Sequence, residues 1–181
     1  MGAELPADVG CGAGVERVSG VVIRAMQEAD LPAVNAIEQG SYSVPWSDVT
    51  FRGLLRRRDA ELLVAERAER VVGYIVFWQV LDQGELGNVA VSRDARRNGV
   101  ARQLIAALME RAAARGVHEL FLEVRPSNHG ARQLYESFGF VPVGQRRNYY
   151  QEPVEDAVVM RVLLQRPAHS GWHSPMAGAD G

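Results

Sequence analysis

Val89-Ala90-Val91-Ser92-Arg93-Asp94-Ala95-Arg96-Arg97-Asn98-Gly99-Val100-Ala101-Arg102 is the stretch whose reading decides the fold. It opens as the apolar end of a strand, passes through an arginine-rich turn to Gly99, and enters a helical pattern. Such a strand-to-helix turn leaves several backbone N–H groups unpaired and aimed one way. Together with the positive end of the helix dipole they make a seat for phosphate. Arg93, Arg96, Arg97 and Arg102 crowd the same turn, so the expected ligand is a polyphosphate.

Working outward, Val100, Leu104, Ala107 and Leu108 recur at the period of an amphipathic helix, with Gly116 as its C-terminal cap. Residues 120–124 then predict a strand, and Ala131, Leu134, Tyr135 and Phe138 form the stripe of another helix. Residues 140–143 and 157–164 supply the last strands, the latter apolar enough to be interior. Upstream, residues 86–91 predict a strand, and 61–66 with 71–80 read as a hairpin across the polar link 67–70. Earlier still, Ser47 or Asp48 caps a helix carrying Phe51, Leu54 and Leu55. Another helix starts at Asp30 with Pro32 just inside it and ends at Gly40, and residues 21–25 open the fold as a strand. The hairpin strands therefore precede a β-α-β-α-β-β run. The helix between the strands at 86–91 and 120–124 must cross over, which favours a parallel or locally splayed central pair. Phosphate ligands in such sheets bind at the carboxyl ends of strands, where this turn lies.

The 181 residues suit one domain with a sizeable core, and 47% apolar with 23% charged residues is the composition of an ordinary globular protein. A net charge of −2 gives no global basic field for nucleic acid. The longest apolar run, 71–78, is far below the roughly 18 residues of a spanning helix. The single cysteine, Cys11, excludes an internal disulfide and any multi-cysteine zinc site, and implies a reducing, cytoplasmic setting. The opening residues lack the layout of a signal peptide, and Pro6 stands where a myristoylation motif wants Ser or Thr. Residues 1–19 read as a disordered extension, 20–165 as the folded domain and 166–181 as a disordered tail. His169 and His173, beside Trp172, read as solvated tail residues, and no metal site is expected.

Arg96-Arg97-Asn98-Gly99-Val100-Ala101 resembles the Q/R-x-x-G-x-G/A segment of the GNAT superfamily of N-acetyltransferases. The order of strands and helices over 21–164 is similar as well. Three further stretches resemble the RimI-type ribosomal-protein-alanine N-acetyltransferases. These are Pro45-Trp46-Ser47; Leu122-Glu123-Val124-Arg125 through Asn128 to Leu134-Tyr135-Glu136-Ser137-Phe138-Gly139-Phe140; and Arg146-Arg147-Asn148-Tyr149-Tyr150. The resemblance implies an α/β (α+β) GNAT fold, its mixed central sheet splayed at the acetyl-CoA site and flanked by helices. It implies acetyl-CoA as cosubstrate, held by Val89, Ala90, Val91, Arg97, Asn98, Gly99, Val100, Ala101 and Arg102, with Asn128 as a further contact. It also implies Glu123 as general base and Tyr135 as general acid. The implied partner is the N-terminal segment of a protein substrate, the N-terminal alanine of a small-subunit ribosomal protein, with no direct role for nucleic acid or membrane. Arg96 stands where Gln is common and Ala101 where Gly is frequent; either keeps the backbone donors.

From the residues alone, several readings stay open. Glu123 lies on the face opposite Leu120, Leu122 and Val124, as a base or as a solvent-facing or paired carboxylate. Tyr135 falls on an apolar stripe, as an acid or as a core tyrosine. Asn128 serves as a helix cap, a ligand contact or both. His118 and His129 have no partner in sequence and read as structural or solvated. Trp46, Tyr149 and Tyr150 wall an extended peptide or simply pack loops. Acid–base arithmetic bears on the acceptor. An α-amine is about 10% neutral at pH 7 and a lysine about 0.04%, a difference of roughly 3 kcal/mol. One carboxylate acting through water therefore suits an α-amine. The rivals are a broader N-α-, lysine or small-amine acetyltransferase, and a CoA-binding regulatory module without turnover, which the pairing of Glu123 with Tyr135 argues against.

Overall fold

The computed structural model describes residues 20–164; Cys11, His169, Trp172, His173 and the two predicted disordered ends lie outside them. One mixed sheet organises the rest. Its strands are β1 (Val21–Ala25), β2 (Ala60–Arg67), β3 (Arg70–Val80), β4 (Gln83–Val91), β5 (Glu119–Val124), β6 (Val141–Gln151) and β7 (Val154–Leu163), in the order β1-β2-β3-β4-β5-β7-β6. Neighbours run antiparallel except β4 and β5, the pair joined by the crossover helix. The helices are α1 (Leu31–Gln39), α2 (Asp48–Leu55), α3 (Val100–Ala114) and α4 (His129–Glu136). None of them is long and apolar enough to cross a membrane.

Both faces of the sheet are covered, which is why its central strands read as nearly continuous apolar runs. On one face α3 lays Val100, Leu104, Leu108 and Ala112 against Leu63, Ile75, Phe77 and Leu120, and Tyr135 and Phe140 extend the same core. On the other, Leu31, Val34, Ile37, Phe51 and Leu54 pack on Leu62, Val64, Tyr74, Val76 and Ala90. The β2–β3 hairpin closes through Ala68 and Glu69, both with positive φ, the backbone of a tight two-residue turn.

Of two expected caps, one is found and one is not. The hydroxyl oxygen of Ser47 accepts from Thr50 N–H and caps α2 as read. Asp30, at the start of α1, does not cap it. Its carboxylate takes Arg24 Nη1 and Nη2 at 2.7 and 2.8 Å and the Gln27 N–H at 2.8 Å, closing a short 3-10 turn before the helix. The larger correction is β6. The apolar pattern ends at Val143, whereas the strand continues to Gln151. It is the outer strand of the sheet and exposed almost throughout, so backbone pairing with β7 holds it without an apolar signature.

Candidate active site

The central parallel pair is short. β4 and β5 bond only from Gln83↔Glu119 to Leu86↔Leu122, and beyond that the strands part. Val89, Ala90 and Val91 stay paired with Ile75, Tyr74 and Gly73 of β3, and among the described residues their opposite backbone edge has no partner strand. A bulge lies in β4 just before that edge: Val76 pairs with Asn88 and Phe77 with Leu86, leaving Gly87 as the extra residue. Two indoles cover it. A Cβ on Gly87 would stand 2.8 Å from Trp78 Cη2 and 2.9 Å from Trp46 Cη2.

At the end of β4 the chain turns through Arg93–Ala95 into α3. Ala95 is buried and anchors the turn. Arg97 and Gly99 take left-handed φ values of 65° and 74°, and Gly99 starts α3 with no side-chain cap. The first turn of the helix therefore offers the N–H groups of Val100, Ala101 and Arg102, with Arg97 and Asn98 exposed beside them. Open donors, a left-handed turn and the adjoining splay fit a pyrophosphate followed by an extended chain entering the sheet. The arginines that crowd the sequence separate in space. Arg102 is braced on Ser137 Oγ at 2.9 Å and lies 5.2 Å from the Phe138 ring. Arg96 turns inward, donating to the Val91 carbonyl at 3.0 Å and to Ser41 Oγ at 3.3 Å. Arg93 and Arg96 line a different cleft, beside α1, with Arg24 and Arg70.

Past the last β4–β5 pair, Glu123 faces a cleft of about 290 Å³ lined by Trp78, Glu85, Phe121, Arg146 and Val159. Its side chain is only 10% exposed, and Arg146 Nε lies 3.2 Å from Oε1. Burial raises its proton affinity above the usual carboxylate range; the charge of Glu85 adds to this and Arg146 opposes it. Tyr135, on α4, is buried with its ring edge-on to Phe140. Burial, and next the nearby Tyr150, push its phenol well up, so it is protonated at neutral pH. Burial, and next the neighbouring Tyr149, push the Tyr150 phenol up to about 12, while Arg125 opposes them. Tyr149 and Tyr150 sit edge-on at 5.0 Å, and Arg125 lies over the Tyr150 ring at 4.0 Å.

The connection between α1 and α2 forms the other wall, held by a residue the sequence did not single out. Glu38, at the end of α1, is fully buried. Its carboxylate accepts from Tyr74 Oη, from the Trp46 N–H at 2.8 Å and from Asn88 Nδ2 at 3.1 Å. Burial holds its proton affinity up, and these three donors pull it down. Tyr42 Oη donates to the Val89 carbonyl at 2.8 Å, so the wall is tied to the strand edge that borders the opening. Trp78 Nε1 donates to Glu85 Oε2 at 3.1 Å, another contact unseen in sequence. Asn128 caps α4 by accepting from Ala131 N–H at 3.1 Å through its amide oxygen; among the described residues its amide nitrogen makes no hydrogen bond. His129 is exposed at the start of α4, and His118 stands 3.9 Å from Asp82 on the surface. Among the described residues no three His, Cys, Asp or Glu gather as metal ligands.

Comparison with known proteins agrees with this geometry. Residues 31–140 match the model of the acetyltransferase (GNAT) family. The chain is 41% identical over 145 residues to the [ribosomal protein bS18]-alanine N-acetyltransferase of Salmonella typhimurium, covering 78% of this chain and 97% of that protein. It is 38% identical over 144 residues to the Escherichia coli enzyme of the same name, with 78% and 97% covered. The crystal structure of the ribosomal-protein-S18-alanine N-acetyltransferase from Escherichia coli superposes with a TM-score of 0.76 at 34% identity, over 84% of this chain and 99% of that one.

Proposed function

The chain belongs to the GNAT acetyltransferase family, and from that premise we propose that it acetylates the N-terminal alanine α-amine of ribosomal protein bS18, using acetyl-CoA. The substrate is the one named for relatives aligned over nearly their whole length. The observation that supports the chemistry is a largely buried carboxylate, Glu123, lying just past the last β4–β5 pair with its proton affinity raised; the buried phenol of Tyr135, on α4, is assigned the complementary role. The acetyltransferase unit is assigned to residues 20–165, and the cytoplasm, where ribosomal proteins are made, is its place of work.

Acetyl-CoA supplies an activated acetyl group on a thiolate leaving group. Val100, Ala101 and Arg102 N–H groups at the start of α3, with Arg97, Asn98 and Gly99, seat the pyrophosphate. The free edge of Val89, Ala90 and Val91 pairs with the extended arm, and backbone N–H groups there polarise the thioester carbonyl. Asn128 adds a contact through its amide nitrogen. Glu123, its proton affinity raised, takes the amine proton through a water as the new C–N bond forms. As the C–S bond breaks, the sulfur receives the Tyr135 proton. A raised phenol is a weak acid, so it donates as charge develops on sulfur rather than before. One proton leaves the amine and one reaches the thiol, so the step balances.

The test offers acetyl-CoA with peptides bearing free N-terminal Ala, Ser or Met, and with a blocked peptide carrying lysine, and locates the acetyl group by mass spectrometry. Acetylation of the alanine amine is expected. Acetyl confined to lysine would overturn the N-terminal reading, and binding without transfer to any peptide would make the chain a CoA-binding module.

A further inference from the structure

We infer that Glu85 is a positioning residue for the transfer: its carboxylate, fixed by the Trp78 indole beside Glu123, sets the charge state in which Glu123 meets the incoming amine. The inference rests on the reading of Glu123 as the base.

The register places the two carboxylates together. Trp78 pairs directly with Glu85 across β3 and β4, and Glu85 pairs with Phe121 across β4 and β5. Glu123 is two residues beyond Phe121, hence on the same face. A diagonal of this kind separates Cβ atoms by roughly 8 Å. Trp78, Glu85, Phe121 and Glu123 all line one cleft, so no layer of protein separates the carboxylates. The Trp78 N–H holds Glu85 by a neutral donor, and among the described residues no cation pairs with it. Its charge therefore reaches Glu123 unneutralised.

Glu123 is faced by Glu85 from β4, by Arg146, Tyr149 and Tyr150 from β6, by apolar Val159 from β7, and by Phe121 on its own strand. Arg125, just past the end of β5, is occupied by Glu155 and by the carbonyls of Glu152 and Pro153. Arg146, salt-bridged to Glu123, lowers its proton affinity; burial raises it, and the charge of Glu85 adds to burial against that pull. A base whose proton affinity lies nearer the working pH captures an amine proton more effectively. Glu85 supplies this without touching the amine.

The test is the pH dependence of kcat/KM for an N-terminal alanine peptide at saturating acetyl-CoA, in the full chain. Below the Glu123 transition the logarithmic slope is two, because both amine and carboxylate must lose a proton. Above it the slope is one, up to the amine transition at about 7.8. Glu85→Gln, which still accepts from Trp78, is expected to move the break down by about one pH unit, from a charge roughly 8 Å away at an effective dielectric of about 20–40. Glu85→Asp keeps the charge and is expected to leave the break near its original place. Acetyl-CoA affinity, measured alongside, should stay the same in both. Glu123→Gln separates the two readings. A break that persists in Glu123→Gln overturns the base assignment itself. A break lost in Glu123→Gln but unmoved in Glu85→Gln overturns the coupling alone. Loss of activity at every pH in both Glu85 variants, with acetyl-CoA still bound, also overturns it, since Glu85 would then act directly.

Discussion

Replacing Gly87 by alanine probes the Trp46–Trp78 wall of the cleft without removing any functional side chain. The added Cβ would lie 2.8 Å from Trp78 Cη2 and 2.9 Å from Trp46 Cη2, closer than carbon atoms approach in folded proteins. Both indoles are constrained: Trp78 Nε1 is bound to Glu85, and the Trp46 backbone N–H is bound to buried Glu38. The strain therefore falls on well-packed rings, and overpacking of this kind costs about 1–3 kcal/mol. For a chain of this size that is a drop in Tm of about 2–12 °C. Displaced indoles should also raise KM for an N-terminal alanine peptide while leaving acetyl-CoA affinity within about twofold, because the turn at Arg97–Gly99 is untouched. Thermal unfolding and steady-state kinetics read both effects. In a Trp78→Leu background the extra cost of Gly87→Ala should fall, since one of the two rings has gone. An unchanged Tm and unchanged peptide KM would refute the packing argument.

Other perturbations separate the remaining parts. Arg97→Ala removes an exposed guanidinium at the α3 turn and should weaken acetyl-CoA binding about tenfold to a hundredfold, the scale of a charge-assisted hydrogen bond, with kcat at saturation largely kept; isothermal titration reads it. Asp30 is held below the usual carboxylate range chiefly by its hydrogen bonds from Arg24, helped by the Gln27 N–H. The stability this gives is present above the unfolded-state pKa of about 3.9 and is lost as pH falls through the folded value. Asp30→Asn should therefore be less stable than the parent in urea at pH 7, and the two should converge in acid. A gap that persists at low pH would show that the carboxylate's charge is not its source.

Much of the scaffold is legible in the residues because burial on two faces writes itself as apolar pattern. The helix of Val100, Leu104 and Leu108, the hairpin across Ala68 and Glu69, and the crossover that forces a parallel central pair all follow from local rules. β6 is not legible past Val143, because an exposed edge strand is held by backbone bonds that leave no side-chain periodicity. The turn at Arg97–Gly99 reads directly, although the roles of its arginines do not: that Arg96 ties down Val91 and Ser41 depends on chain 55 residues upstream. The second carboxylate of the cleft is hidden for a related reason. Asp82-Gln83-Gly84-Glu85 looks like polar turn sequence, and only the β3–β4 register brings Glu85 under Trp78. Glu38 resembles an ordinary helix-end glutamate, and its burial comes from Tyr74 and Asn88, 36 and 50 residues later.

The central claim, that Glu123 and Tyr135 carry out acetyl transfer at a site whose cosubstrate is gripped elsewhere, is tested most directly by Tyr135→Phe. The phenyl ring keeps the packing against Phe140 and removes only the donor. CoA release with an N-terminal alanine peptide should fall about a hundredfold or more, the usual scale for a lost general acid. Acetyl-CoA affinity should stay within about threefold of the parent. Turnover equal to that of the parent would contradict the assignment.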